Sequence, residues 1–393
     1  MSRVGGKTLV AWGGWVRWSV TLAAAARVAL FIGAIVWPIT NERGARVSPL
    51  LSQGYLDFQF YLDSLHRYVA SFGAVVTEFM QFYAGMVWRG FQLIAGPVFP
   101  LLLGASGYSS GHLLPLSLGY LVVSSLLAAG WIIWLSRNGV RGPWLAAFAV
   151  LPNAVWFTLI ISPDLLFAAE FAVFYFAYTR RAGSSDTALW VAALLLMLLT
   201  RPNAFSILLF VAADTLVSTV RTRAVFSLRT AGTLVLVTVA TLYLYPYFLY
   251  EMNKAGGALR YFGATPNEYL GGLFHSLPPW LNVPISAAAL VGAKVLYFVG
   301  LRPTYGQTAL VLVFFRAVPG VILLPGLLNV LARGPNRDRA LVFLFCLPII
   351  LGPSQDRYYL AIYPLLYLYG VRFYEAAWQW MTRTRAGRVS PAA

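Results

Sequence analysis

Apolar runs long enough, or nearly long enough, to cross a bilayer recur along this chain, and arginine clusters separate them at every second junction. The runs fall roughly at 17–38, 113–135, 143–161, 164–179, 187–200, 203–220, 230–250, 308–332, 340–353 and 358–381. A helix of about 20 apolar residues spans the hydrocarbon core, so several of these runs sit at the short end of the range. The clusters are Arg137 and Arg141; Arg180 and Arg181; Arg221, Arg223 and Arg229; Arg333, Arg337 and Arg339; and Arg383, Arg385 and Arg388. Cytoplasmic loops of membrane proteins concentrate basic residues. An N-terminus on the inside makes all five clusters cytoplasmic and leaves the C-terminus inside as well.

Composition supports lipid as the solvent. The chain is 59% hydrophobic and 11% charged, against about 25% charged in a soluble globular protein. Its net charge of +16 invites a nucleic-acid reading. The arginines form no stripe with interleaved aromatics, however, and sit between apolar runs, so nucleic acid is excluded as a partner. The single cysteine, Cys346, lies in an apolar run. It can form no intramolecular disulfide and is expected to be inert packing. The first apolar run, Val16 to Trp37, is too long for a signal-peptide core and is followed by no small-residue cleavage site, so it is expected to be retained.

The expected fold is an all-α polytopic transmembrane bundle of about 10–11 spanning helices, a single transmembrane domain over 1–393. Two long stretches, 39–112 and 251–307, fall on the external side with most of the acidic residues. Their mixed apolar and aromatic content suits helices lying along the interface. Residues 284–301 are apolar enough to cross, but a crossing there would place the Arg333 cluster outside. A re-entrant or surface-lying segment fits better, and Lys294 within it suits a polar cavity.

Chemistry gathers on the external side. The first long stretch contains Asp57-Phe-Gln-Phe-Tyr61-Leu-Asp63-Ser-Leu-His66-Arg67. A carboxylate beside the membrane and flanked by aromatics suits general-base work. On a helix Asp63 would pair with Arg67 four residues on, whereas Asp57 would face Tyr61, which makes Asp57 the better catalytic candidate. Ser162-Pro163-Asp164 fits a helix start, with Ser162 as N-cap, Pro163 in the first turn and Asp164 favoured by the dipole. Asp164 is also placed to face an external cavity and touch a phosphate-bound metal, a sugar hydroxyl or a basic partner. Glu170 lies deeper in the same helix.

Three external arginines break the positive-inside pattern: Arg201 in Thr200-Arg201-Pro202, Arg302 in Leu301-Arg302-Pro303, and Arg357 in Asp356-Arg357-Tyr358-Tyr359. Guanidinium binds phosphate in a two-pronged geometry that lysine cannot match, so these arginines are candidates for anion binding. An ion pair of Arg357 with Asp356, or an interfacial contact, is the plainer alternative for that residue. The three histidines show no metal-ligand spacing, and no metal-binding, phosphate-loop or nucleophile-elbow motif occurs. No cofactor is signalled, and no residue is assigned as a metal ligand.

In order along the chain, Asp57-Phe-Gln-Phe-Tyr61, Pro97-Val-Phe-Pro100-Leu-Leu, Ser162-Pro163-Asp164-Leu-Leu-Phe167, Thr200-Arg201-Pro202 and Arg357-Tyr358 through Pro364 resemble segments of one family. This is the C-type (GT-C fold) integral-membrane glycosyltransferases, and among them the smaller bacterial polyprenyl-phosphomannose-dependent mannosyltransferases. The resemblance implies transfer of a sugar, with inversion, from a polyprenyl-phosphate donor to a hydroxyl of a glycolipid or polysaccharide at the external face of the bacterial cytoplasmic membrane. It implies Asp57 as the catalytic base and Arg357, with Arg201 or Arg302, as the clamp on the donor phosphate. Tyr61, Asp63, His66, Asp164 and Tyr358 are the substrate-contact candidates. The chain departs from larger members in lacking a second acid beside Asp57. The alternatives are a transporter or flippase of a lipid-linked or anionic substrate, and a polysaccharide polymerase or ligase. The few ionisable residues within the helices (Arg27, Glu170, Asp214, Arg316, Arg372) favour a one-sided enzyme over a transporter.

Overall fold

The computed structural model describes residues 13–36, 39–40, 46–47, 102, 114–180, 183–201, 204–222, 310–351 and 359–388, with isolated positions between 278 and 299. Asp57, Tyr61, Asp63, His66, Arg302, Arg357 and Tyr358 lie outside the described residues. So do the run at 230–250 and nearly all of 39–112 and 251–307.

The described chain is helical apart from one antiparallel pair of two-residue strands, β1 (Ile39–Thr40) and β2 (Arg46–Val47), with Ile39 opposite Val47. The helices are α1 (Gly14–Val36), α2 (Leu114–Arg137), α3 (Pro143–Ala149), α4 (Pro152–Leu159), α5 (Pro163–Arg180), α6 (Ser184–Thr200), α7 (Ala204–Thr222), α8 (Leu310–Arg333), α9 (Asn336–Leu351) and α10 (Tyr363–Arg388). Among the described residues α1 and α2 are long and apolar enough to cross a membrane, and shorter apolar helices accompany them.

Two expectations are corrected. The apolar run at 143–161 is two helices, not one. Pro152 opens the second, and the residue before it, Leu151, takes the extended backbone (φ −57°, ψ 112°) that a following proline favours. Pro152 has no N–H to offer Phe148, whose carbonyl instead accepts from Leu151 N–H at 3.2 Å. The last helix is also displaced from the expected 358–381. It runs Tyr363–Arg388 and carries an exposed outer half that includes Phe373, Trp378 and Trp380.

Arg27 of α1 mends the break. It is buried, and its Nη1 donates to the carbonyl of Ala149, the last residue of α3, at 3.3 Å, and to Ala23 O at 3.1 Å. A cation at a helix C-terminus meets the negative end of its dipole. Arg27 Nε donates to Ser124 Oγ (2.7 Å), which donates to Thr158 Oγ1 (2.6 Å), which in turn donates to Ala154 O (2.6 Å). A polar chain thus ties α1, α2, α3 and α4 where the helix is interrupted.

Side-chain pairs fix the helix directions. Tyr120 meets Ser162 just before α5, and Trp131 packs on Tyr175 and Phe176, so α2 and α5 run the same way. On α9, Phe345 meets Phe167, Phe171 and Tyr359, while Arg337 reaches Tyr178 and Asp338 reaches Tyr369. Helix α9 is therefore antiparallel to both α5 and α10, which share a direction. The bundle has chemically distinct ends. One carries Arg137, Arg180, Arg337 and Arg339; the other carries Asp164, Thr200 and Arg201.

Helices α8 and α10 cross at two glycines. A methyl group on Gly326 would overlap the carbonyl oxygen of Leu366, and one on Gly370 would overlap that of Ile322. Small residues let helix backbones approach this closely. Asn329 Nδ2 donates to Tyr369 O (2.9 Å) and Tyr374 Oη to Val321 O (2.6 Å) across the same contact. Gly326→Val or Gly370→Val should destabilise the fold by about 1–3 kcal/mol or more, the scale of overpacking. Thermal unfolding in detergent measures this, with Gly33→Ala, where an added methyl meets nothing within 4 Å, as the unchanged control.

Candidate functional site

The site is built on the helical hairpin of α5 and α6. Pro163 occupies the first turn of α5, where its missing N–H costs nothing. Ser162 before it caps the helix, its Oγ accepting from Asp164 N–H at 3.3 Å and donating to Asp164 Oδ2 at 3.0 Å. Asp164 is thereby held at the positive end of the α5 dipole, where a carboxylate is favoured. The cap expected from Ser162-Pro163-Asp164 is present.

Eighteen residues of α5 and seventeen of α6 bring the chain back almost level with its start. Arg201, the residue after α6, therefore stands beside Asp164. Its Nη2 lies 2.7 Å from Asp164 Oδ1, and both side chains are nearly inaccessible, at 4% and 3% exposed. Beside them, Thr200 Oγ1 donates to Glu170 Oε1 at 2.8 Å. Glu170 Oε2 is buried with no hydrogen-bond partner among the described residues. Tyr120 Oη of α2 donates to Ser162 O at 2.7 Å, which brings the first turns of α2 to the same place.

Two of the sequence candidates are thus brought together, Asp164 and Arg201. Of the plain and chemical readings of Asp164, the basic partner is what the structure supplies. Arg201 meets a carboxylate of its own chain, so any anion it binds must share the guanidinium with Asp164. The charge of each member is compensated by the other, as burial demands. The Glu170–Thr200 contact and the Tyr120–Ser162 bond carry no motif. The signal available was the near equality of two apolar runs with opposite charges at their outer ends.

The opposite end holds a separate polar network. Tyr178 Oη donates to Asp214 Oδ2 at 2.7 Å, and Arg337 Nη2 donates to Tyr178 O at 3.0 Å with its guanidinium 4.5 Å from the Tyr178 ring centre. Asp338 accepts from Tyr369 Oη at 2.6 Å. These contacts lock α5, α7, α9 and α10 together and leave the acids engaged with their own fold. No group of three or more His, Cys, Asp or Glu side chains able to hold a metal occurs among the described residues. Cys346 is buried in the core, as its apolar surroundings in sequence implied.

No family model, no curated protein and no solved structure matches this chain.

Removing one partner of a buried ion pair strands the other, at a cost of about 3–5 kcal/mol. Asp164→Asn, which keeps the capping shape, and Arg201→Gln should each lower unfolding stability on that scale. The double variant should lose clearly less than the sum of the two, because the residues are in contact. Strict additivity in a double-mutant cycle would mean that the pair is not coupled.

Proposed function

We propose that this chain is a polytopic membrane glycosyltransferase that moves a sugar from a polyprenyl-phosphate donor to an acceptor hydroxyl at the external face of the cytoplasmic membrane. The observation that carries the reading is where two of the helices begin. Helix α2 starts at Leu114 and α10 at Tyr363, directly after the stretches that contain Asp57 and Arg357. Each of these helix starts is on the end of the bundle that holds Asp164, Thr200 and Arg201. The arginine-rich end is the other one, as the positive-inside rule asks of a cytoplasmic face.

The chemistry needs a base on one side of the anomeric carbon and a cation on the other. Asp57 takes the proton of the acceptor hydroxyl as that oxygen attacks the anomeric carbon. The bond from the anomeric carbon to the phosphate oxygen breaks, and the lipid phosphate leaves with the electron pair. Attack opposite the leaving group inverts the anomeric centre. Arg357 stabilises the charge that grows on the phosphate, the term that usually contributes most in such sites. Arg302 is its helper on the same side. Arg201, already paired with Asp164, contributes by holding the start of α5 and the end of α6 in register beneath the site. Tyr61, Asp63, His66 and Tyr358 are positioned by sequence to contact the sugars. No step calls for a metal.

Purified protein supplied with radiolabelled polyprenyl-phosphate sugars and a lipid extract should produce a labelled glycolipid or glycan. Asp57→Asn should abolish transfer while leaving donor binding largely intact. Near-normal turnover in that variant would overturn the assignment of the base.

A further inference from the structure

An open groove of about 690 Å³ lies between the α2–α3 turn and the outer half of α10, at the arginine-rich end, opposite the Asp164–Arg201 pair. Gly139 and Arg141 of the turn, Trp144 of α3, and Tyr374, Glu375 and Trp378 of α10 line it. Gly139 (φ 95°) and Gly142 (φ 56°) take the left-handed backbone that glycine permits, and the turn they make carries Arg141. The Trp144 and Tyr374 rings stack with centroids 6.0 Å apart. Tyr367 Oη holds the Trp144 carbonyl, and Arg372 donates to Asn138 O at 3.4 Å, so the turn is fastened to α10.

Two opposite charges line this groove, and the described part of the fold uses neither. Among the described residues the side chains of Arg141 and Glu375 make no hydrogen bond and no ion pair, with each other or with anything else. Three other charged side chains at this end are engaged, Arg372 with the Tyr369 ring and Asn138 O, Arg337 with Tyr178, and Asp338 with Tyr369, while Arg137 at the end of α2 adds to the positive charge of the turn. A guanidinium takes phosphate in a two-pronged geometry. A carboxylate accepts from an ammonium, and aromatic faces attract the same cation. Phosphate and ammonium on one small molecule describe a zwitterionic phospholipid headgroup. Tryptophan and tyrosine are the residues enriched where a membrane meets water. Exposed Phe373, Trp380 and Met381 continue the apolar surface along α10, where acyl chains would lie.

We propose that this groove binds the headgroup of a zwitterionic aminophospholipid of the adjoining leaflet, its phosphate on Arg141 and its primary ammonium on Glu375 among the three rings. A phosphatidylglycerol headgroup would set the same phosphate on Arg141 but offer Glu375 no cation. A choline headgroup would have no N–H for the carboxylate. The proposal rests on the membrane-spanning part of the reading above and is independent of sugar transfer.

Native mass spectrometry of the detergent-purified full chain tests it, with phosphatidylethanolamine, phosphatidylglycerol and phosphatidylcholine of identical acyl chains. Phosphatidylethanolamine should be retained several-fold better than the other two. Arg141→Gln should weaken retention of all three lipids. Glu375→Gln should erase the preference for phosphatidylethanolamine over phosphatidylglycerol, and unchanged melting temperatures should show both variants folded. Glycerophosphoethanolamine, the headgroup without chains, should compete poorly, which separates a lipid site from a site for the free headgroup. Equal retention of the three lipids, or an undiminished preference in Glu375→Gln, overturns the proposal. Recovery of the chain in the soluble fraction without detergent would instead remove the membrane reading on which it rests.

Discussion

The buried ion pair between Asp164 and Arg201 is the constraint on which the polar end of this bundle depends. Each charge would be prohibitively costly alone among apolar helices, and each is tolerable only because the other is 2.7 Å away. The pair therefore fixes more than a contact. It sets the register of α5 against α6, aligns the Ser162 cap with the end of the hairpin, and keeps Thr200 within reach of Glu170. The Tyr120–Ser162 bond then brings α2 onto the same corner. For the proposed transfer, which brings a hydroxyl in and sends a phosphate out, such a rigid floor matters because small displacements at a reacting centre cost large factors in rate.

Arg27 shows the same rule applied to backbone. The interruption between α3 and α4 frees carbonyls that a continuous helix would satisfy, in a place where bulk water is scarce. The guanidinium takes up Ala149 O at the break while it also holds Ala23 O of its own helix, and the Ser124–Thr158 chain completes the network. Interrupted helices inside membranes are tolerated where neighbouring side chains satisfy the freed groups in this way. Among the described residues none of the partners of Arg27 is a carboxylate, so its charge is balanced by the dipole of α3 and by hydroxyls. The two buried cations thus act by different means, one against an acid and one against a helix end.

Much of the helical pattern was legible in the sequence, because apolar run length and arginine spacing are local signals. The ends of α1, α2, α5, α6 and α7 fall within a few residues of the runs that announced them. The break at Val150–Leu151 was signalled by Pro152, but run length alone concealed it, since both halves are equally apolar. The shift of α10 to Tyr363–Arg388 was concealed for the opposite reason: its outer half is too polar for an apolar-run criterion, yet it keeps helical geometry beyond the bundle. At the site, the capping role of Ser162 and Asp164 was readable because capping is local. The partnership of Asp164 with Arg201 spans 37 positions and depends on the hairpin returning level, which no short motif encodes. Asp57 and Arg357, the proposed base and clamp, lie outside the described residues and stand on sequence pattern and helix connectivity.

The central claim is that the Asp164–Arg201 end of the bundle is the external, catalytic face and the arginine-rich end the cytoplasmic one. Native Cys346 is buried, so the background for thiol labelling is low. Single cysteines introduced as Asp57→Cys and Gly183→Cys in a Cys346→Ser background, probed in intact cells with a membrane-impermeant maleimide, test the claim directly. The account predicts labelling at position 57 in intact cells and labelling at position 183 only after permeabilisation. The reverse pattern, or labelling of both positions from outside, would contradict it.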